Sequence, residues 1–314
     1  MKRRQFLENI LQAGIITVVP SFLGSMVENP YTKAYNKKIT ILHTNDTHAR
    51  IDPFPENAGK YAGMGGIARR ASLVKQFREQ DPDLLLLDSG DIFQGTPYFN
   101  FFGGELDLKL MSEMGYDAST IGNHEFDNGL EGFINVVEHA KFPFVVSNYN
   151  ARGTSWNPHL QAYHIIERKG IKIGIFGLGI ELKGLVLPKM YEGIVYRDPV
   201  VLAQSMVRSL REYNNCDLVI CLSHLGYKYS DPDRVSDSVV AAKVPGIDLI
   251  LGGHTHTFMD EPDVFTHEDG SKTYIHQVGF GGIRLGKIEV YFDESRKPLS
   301  LGHDIISIFG KKEG

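Results

Sequence analysis

Cysteine is scarce in this 314-residue chain, which carries only Cys216 and Cys221. The two flank a predicted strand, and five residues of strand span roughly 16 Å, well beyond disulfide reach. Both are expected to be reduced packing residues, and neither is placed for a thiolate-held structural zinc. No strong excess of one charge exists either. The net charge of −5, with a pI near 6.2, argues against a broad nucleic-acid-binding face. Internal repeats and low-complexity tracts are absent from the sequence, which excludes solenoid and tail-like architectures. A dinucleotide fingerprint is missing as well. Gly174, Gly177 and Gly179 suggest one, but the next position that needs glycine is Leu182. What remains is ordinary for a soluble globular protein, with 42% hydrophobic and 23% charged residues. The length is enough for one large core or two small ones.

The N-terminus departs from that ordinary composition. Lys2-Arg3-Arg4-Gln5-Phe6-Leu7 precedes an apolar run from Ala13 to Val27, interrupted by Pro20. A basic start before about 15 apolar residues has the layout of a signal peptide and is short for a spanning helix. Arg3-Arg4-Gln5-Phe6-Leu7 is similar to a twin-arginine export signal. Residues 1–30 are therefore read as an export signal, and the expected location is periplasmic or extracytoplasmic. Membrane attachment is expected only if this segment stays uncleaved, and no clear A-x-A cleavage site is visible.

Beyond it, strands and helices alternate. Lys38–His43 reads as a first core strand, Gly66–Glu79 as an amphipathic helix, and Asp83–Leu87 as a strand buried on both faces. Tyr98, Phe99, Phe101 and Phe102 are expected in the core. Further helices are predicted over Glu105–Met114, Leu130–Ala140, Val200–Tyr213 and Asp237–Ala242. Strands are predicted over Asp117–Ile121, Phe142–Ser147, Asp217–Leu222 and Ile247–Leu251. A hairpin is expected around Lys169-Gly170, and the tail from Lys272 to Ile308 reads as successive strands. The class is α/β with mixed sheets, and 38–308 reads as a single domain.

The chemistry collects after the strands. Asp46 and His48, then Asp91, then Asn123 with His124, then His224, and finally His254 with His256 all follow apolar runs. Open α/β sheets gather ligands at such ends. Asp46 and His48 are expected to share a face, as i and i+2 do in extended chain. Gly122-Asn123-His124-Glu125-Phe126-Asp127 by itself reads equally well as a capped helix start or as a site, with Asp127 able to orient the His124 ring. Together, carboxylate, imidazole and amide donors without thiolate suit Mn, Fe, Zn or Co. His43 and His276 fall inside strands and are read as structural.

These motifs in this order resemble the calcineurin-like metallophosphoesterases, and most closely the catalytic domain of the 5′-nucleotidase family. They are Asp46-Thr47-His48, Gly90-Asp91, Gly122-Asn123-His124-Glu125, His224 and Gly253-His254-Thr255-His256. Gln94-Gly95-Thr96-Pro97 and Phe126-Asp127-Asn128-Gly129 add to the nucleotidase likeness. The resemblance implies two mixed β-sheets packed together and flanked by helices. It also implies two divalent metal ions, one held by Asp46, His48 and His256, the other by Asn123, His224 and His254, with Asp91 between them. Asn123 and His124 would contact substrate, with His124 and Asp127 as the catalytic pair. Two cations about 3.5–4 Å apart would activate a hydroxide between them for attack on a phosphomonoester, expected to be a 5′-nucleotide. Alternatives sharing these motifs are a cyclic-nucleotide or nucleotide-sugar phosphodiester hydrolase, a thiosulfate-pathway esterase, and a non-enzymatic metal-binding scaffold. The family's nucleotide-recognition domain has no counterpart in the sequence before Gly314, so a separate polypeptide supplying it is an expected partner.

Overall fold

A computed structural model describes residues 35–231 and 234–309, so residues 1–30, expected to be an export signal, lie outside the described residues. The chain opens with β1 (Lys37–Thr44) and β2 (Leu85–Asp88), followed by the two-residue strands β3 (Ala118–Ser119), β4 (Phe144–Val145), β5 (Tyr149–Asn150) and β6 (Leu160–Gln161). Next come β7 (Tyr163–Arg168), β8 (Ile171–Leu178), β9 (Val195–Tyr196), β10 (Leu218–Ser223) and β11 (Leu249–Gly252). The C-terminal part adds β12 (Asp263–Thr266), β13 (Lys272–His276), β14 (Arg284–Phe292) and β15 (Pro298–Ser307).

Seven strands pair in the order β15-β14-β1-β2-β3-β4-β6, and six in the order β12-β13-β11-β10-β8-β7. In the first sheet β1, β2, β3, β4 and β6 run parallel, while β14 and β15 are antiparallel. The second is parallel through β8, β10, β11 and β13, with antiparallel edges β7 and β12. Both sheets are mixed, as expected.

Alternation explains how they pack. Ile39, Ile41, Leu85 and Leu87 of the first sheet meet Ile173, Ile175, Ile220 and Leu222 of the second in one shared core. Their neighbours Leu42, Leu84 and Leu86 point the other way, toward helices. Strands apolar on both faces read as unbroken hydrophobic runs for this reason. Contact between the sheets is close enough to demand glycine at one point. A Cβ on Gly177 would lie 2.0 Å from the Val145 carbonyl oxygen.

The helices α1 (Ile67–Gln80), α2 (Pro97–Phe102), α3 (Glu105–Met114) and α4 (Gly129–Val137) cover the first sheet, through residues such as Leu73, Leu108 and Phe133. On the second sheet lie α5 (Pro199–Arg208) and α6 (Asp237–Lys243), which bury Ala203 and Val240 against Val219 and Ile250. Asp198 caps α5 by accepting from the Val200 and Val201 amides at 2.8 and 3.2 Å, with Pro199 at the first helical position. The result is helix, sheet, sheet, helix.

Several expectations need correction. Of the four aromatics expected in the core, only Phe99 is buried. Phe101 and Phe102 are 82% and 47% exposed, because consecutive helical residues point to different sides and only the Phe99 side of α2 faces the core. Strands expected over Asp117–Ile121 and Phe142–Ser147 pair for only two residues each. The long helix expected to reach Tyr213 ends at Arg208 and continues as one wide turn, where the Asn214 amide reaches Ser209 five residues back. Edge strand β12 was not foreseen, since its four residues are all exposed and show no apolar pattern. Cys221 lies within β10 rather than beyond it, and both cysteines are buried and unpaired.

Candidate metal centre

At the C-terminal ends of the central strands, tight loops leave regular geometry. Asp46, His48, Asp91, His254 and His256 all have positive φ, between 50° and 70°. The expectation that Asp46 and His48 share a face of extended chain is therefore wrong in its reasoning. Left-handed backbone, unfavourable for residues bearing a Cβ, folds each loop back on itself instead. The strain is sustained by the bonds that over-determine the loops. The Asp46 amide donates to the Gly90 carbonyl at 2.9 Å and the His48 amide to the Asp91 carbonyl at 3.1 Å.

These loops bring the sequence-predicted residues together. Ligand atoms of Asp46, His48 and His256 lie within 4.8 Å of one another, and so do those of Asp91, His224 and His254. Asn123 joins the second group, with its Oδ1 2.9 Å from His254 Nδ1. His48, Asp91 and His124 form a third, overlapping set. There is no room for a side chain between them. A Cβ on Gly122 would stand 2.2 Å from Asp91 Oδ1 and 2.8 Å from His224 Nε2.

Hydrogen bonds define what each ring can do. His224 Nδ1 donates to the Ser89 carbonyl at 2.6 Å, which turns Nε2 into the cluster. That Nε2 is buried without a hydrogen-bond partner, although Asp91 Oδ2 lies 3.0 Å away. A buried, unpartnered nitrogen beside a carboxylate is a donor pair suited to a cation. His48 Nδ1 donates to the Phe93 carbonyl at 3.3 Å, and its Nε2 is 3.0 Å from His256 Nε2. His124 is tied differently, through Nδ1 to Asp127 Oδ2 at 2.8 Å, while its amide donates to Asp91 Oδ1 at 2.8 Å.

The electrostatics follow from these contacts. Burial opposes charge on His224, but the Asp91 carboxylate prevails and lifts it to about 10. Burial likewise works to raise Asp91, yet the facing histidines hold it far below the usual carboxylate range. Burial, then His224, push His254 down to about 4. For His124, burial is outweighed by the Asp127 hydrogen bond and the field of Asp91, and the ring rises to about 9. At neutral pH His124 therefore stays protonated beside Asp127 and can donate a proton.

One contributor was missed by sequence reasoning, although it lies within the quoted motif. Glu125 is buried, and its carboxylate accepts from the amides of Asp91, Ile92, Phe93 and Gly122 at 2.6–3.2 Å. It holds the Asp91 loop against the His124 loop. The histidines read as structural, His43 and His276, bond each other at 2.8 Å in the interior. Behind the cluster Trp156 is fully buried and stacks on Phe126 at 4.4 Å, and its Nε1–H donates to the Leu130 carbonyl at 2.8 Å. This packing fixes the segment that follows His124.

Residues 39–258 match the family model described as calcineurin-like phosphoesterase. A snake venom 5′-nucleotidase from Crotalus adamanteus is 34% identical over 85% of the chain and 49% of that protein. The 5′-nucleotidase of Homo sapiens is 32% identical over 84% of the chain and 48% of its own length. Among solved structures, a 5′-nucleotidase precursor from Thermus thermophilus superposes with a TM-score of 0.79 at 30% identity, covering 87% of this chain and 55% of that one. The chain thus spans about half the length of the curated relatives it matches.

Proposed function

The chain belongs to the calcineurin-like phosphoesterase family, and from that premise we propose that it is a metal-dependent phosphomonoesterase acting on 5′-nucleotides. Residues 38–308 would form its catalytic unit. One observation carries the reading: Asp91 belongs at once to the group with His224 and His254 and to the group with His48 and His124. A carboxylate shared in this way is placed to neutralise two cations. Asp46, His48 and His256 would hold one, and Asn123, His224 and His254 the other. Oxygen and nitrogen donors of this kind fit Mn, Zn, Fe or Co. When bound, such a pair lowers the pKa of a water and withdraws charge from phosphate oxygens.

The residues do the rest. Asp91 stays ionised and bonds the His124 amide, so the acid is held in register with the ligands. Asp127 keeps His124 protonated, leaving its Nε2 to donate to the departing oxygen. Asn123, beside it, offers its amide toward the same phosphate.

The rim is open. His256 and His124 side chains are 40% and 30% exposed, whereas a small-molecule site normally encloses most of its ligand. The walls around a nucleoside would therefore come from a further polypeptide segment or a separate chain covering this face. Kinetics of the metal-reconstituted 314-residue chain test both points. AMP should release phosphate faster than bis-p-nitrophenyl phosphate or UDP-glucose are cleaved, and AMP, GMP, CMP and UMP should differ little. Faster diester cleavage would overturn the monoesterase reading. Micromolar KM for a single base would reveal a pocket within this chain.

Export is proposed from Arg3-Arg4. Changing both to Lys should retain active protein in the cytoplasm. Unchanged export would point to the general secretory route.

A further inference from the structure

The two ligand loops carrying Asp46–His48 and His254–His256 belong to different sheets, following β1 and β11. All four of these residues have left-handed backbone, so no strand ladder sets the distance between the loops. Something else must set it. We propose that Asn45 and Gln277 form a single tie, anchored on the segment Gln277–Gly279, that positions both loops and so controls metal retention without touching metal. This inference rests on the reading of the cluster as a metal centre.

Gln277 uses all four hydrogen-bonding positions of its side chain, and Asn45 uses both amide hydrogens and its oxygen. Asn45 Nδ2 donates to the Gly279 carbonyl and to Asp46 Oδ2, each at 2.6 Å, while Asn45 Oδ1 accepts from the Val278 amide at 3.0 Å. Gln277 Nε2 donates to the Gly253 carbonyl at 2.9 Å and to Asp237 Oδ2 at 3.1 Å. Gln277 Oε1 accepts from the Thr257 amide and from Thr255 Oγ1, both at 3.2 Å. An amide saturated in this way has one orientation, which surface polar residues do not.

Two consequences follow. The His254 amide is shared by both Asp46 oxygens at 3.0 Å, and Asn45 takes Oδ2 alone, so Oδ1 is the less engaged oxygen and lies 3.3 Å from His256 Nε2. On the other side, Gln277 grips Gly253, Thr255 and Thr257, which alternate with His254 and His256 along the loop. Asn45 and Gln277 are both buried, at 1% and 0% exposure, and no solvent competes for these bonds. Asp237 closes the arrangement from beneath, since a Cβ on Gly252 would meet its Oδ2 at 2.1 Å. The main chain reinforces the tie, with the Gly279 amide on Thr257 O at 3.0 Å and the Gly281 amide on Asp46 O at 2.7 Å.

Groups that orient metal ligands typically change affinity by 10–100-fold when removed. Co2+ is the probe, because its visible absorption reports coordination geometry independently of turnover. Gln277→Met and Asn45→Ala should unfold cooperatively like the parent when metal-free, yet bind Co2+ about 10–100-fold more weakly with shifted absorption bands. The double variant should lose less than the product of the two, because each single change already releases the same tie. Parent-like affinity and spectrum in either folded variant would overturn the proposal. Should those variants fail to fold, Thr255→Val removes one hydroxyl from Gln277 at a half-buried position. It should weaken Co2+ binding by about 2–10-fold, with Thr255→Ser restoring the parent value. No difference between Val and Ser would refute the tie equally. A parent chain that binds no Co2+ would overturn the metal reading itself, and the tie with it.

Discussion

Asp91→Asn is expected to yield a folded chain that holds fewer than two divalent ions and has lost nearly all of the proposed phosphatase activity. The residue is 2% exposed, with Oδ1 engaged by the His124 amide and Oδ2 lying 3.0 Å from His224 Nε2. An asparagine would preserve its shape and could still accept from the His124 amide. What it lacks is the charge. Removing one partner from a buried set of opposite charges costs about 3–5 kcal/mol, because the others are left uncompensated. At about 1.4 kcal/mol per decade, metal affinity should fall by roughly 10²–10⁴-fold. Both sites should suffer, whereas Asp46→Asn should mainly weaken the ion near His48 and His256. The protonation state of His224 sets the pH dependence of the parent site. In the metal-free cluster Asp91 holds a proton on His224, which lies near 10, and that proton must leave before the nitrogen can ligate. Affinity should therefore fall as pH falls. Elemental analysis of purified Asp91→Asn decides the matter, and two tightly retained ions per chain would remove Asp91 from its bridging place.

How far the sequence foretold this centre depends on which physical signal each residue carried. Asp46, His48, Asp91, Asn123, His224, His254 and His256 were legible because each follows an apolar strand, and all are metal-ligand types. The two-sheet architecture was expected from the family resemblance, and it accounts for β1, β2, β8 and β10 being apolar on both faces. The left-handed loops were not. Positive φ at Asp46 or His256 is imposed by long-range bonds, and local sequence favours it only weakly. Glu125, Asn45 and Gln277 escaped for a related reason. Each acts through partners far away in the chain, such as Gly279 for Asn45 at 234 residues' separation, and their residue types are common in loops. Phe101 and Phe102 misled because hydrophobicity predicts burial only on average, and a six-residue helix has two sides.

His124→Ala should leave metal binding intact and lower kcat by about 10²–10⁴-fold for esters with poor leaving groups. The ring is held by Asp127 at 2.8 Å rather than by the ligand set, so its removal takes no donor from either ion group built on Asp46 or His254. Esters whose leaving group departs unprotonated, such as p-nitrophenyl phosphate, should lose much less. Asp127→Asn provides the finer test, because it keeps the ring and removes the charge that sustains its proton. Burial depresses His124, and the Asp127 bond is the largest influence raising it to about 9. A general acid works while protonated, so activity should decline as pH rises through this value. Without Asp127 the value drops, and the alkaline limb of kcat/KM should move to lower pH, while the acidic limb stays in place. Steady-state profiles for the parent and Asp127→Asn chains, with two ions bound in both, would show the shift. An alkaline limb at the parent position in Asp127→Asn, or equal losses for good and poor leaving groups in His124→Ala, would mean that His124 stabilises charge without transferring a proton.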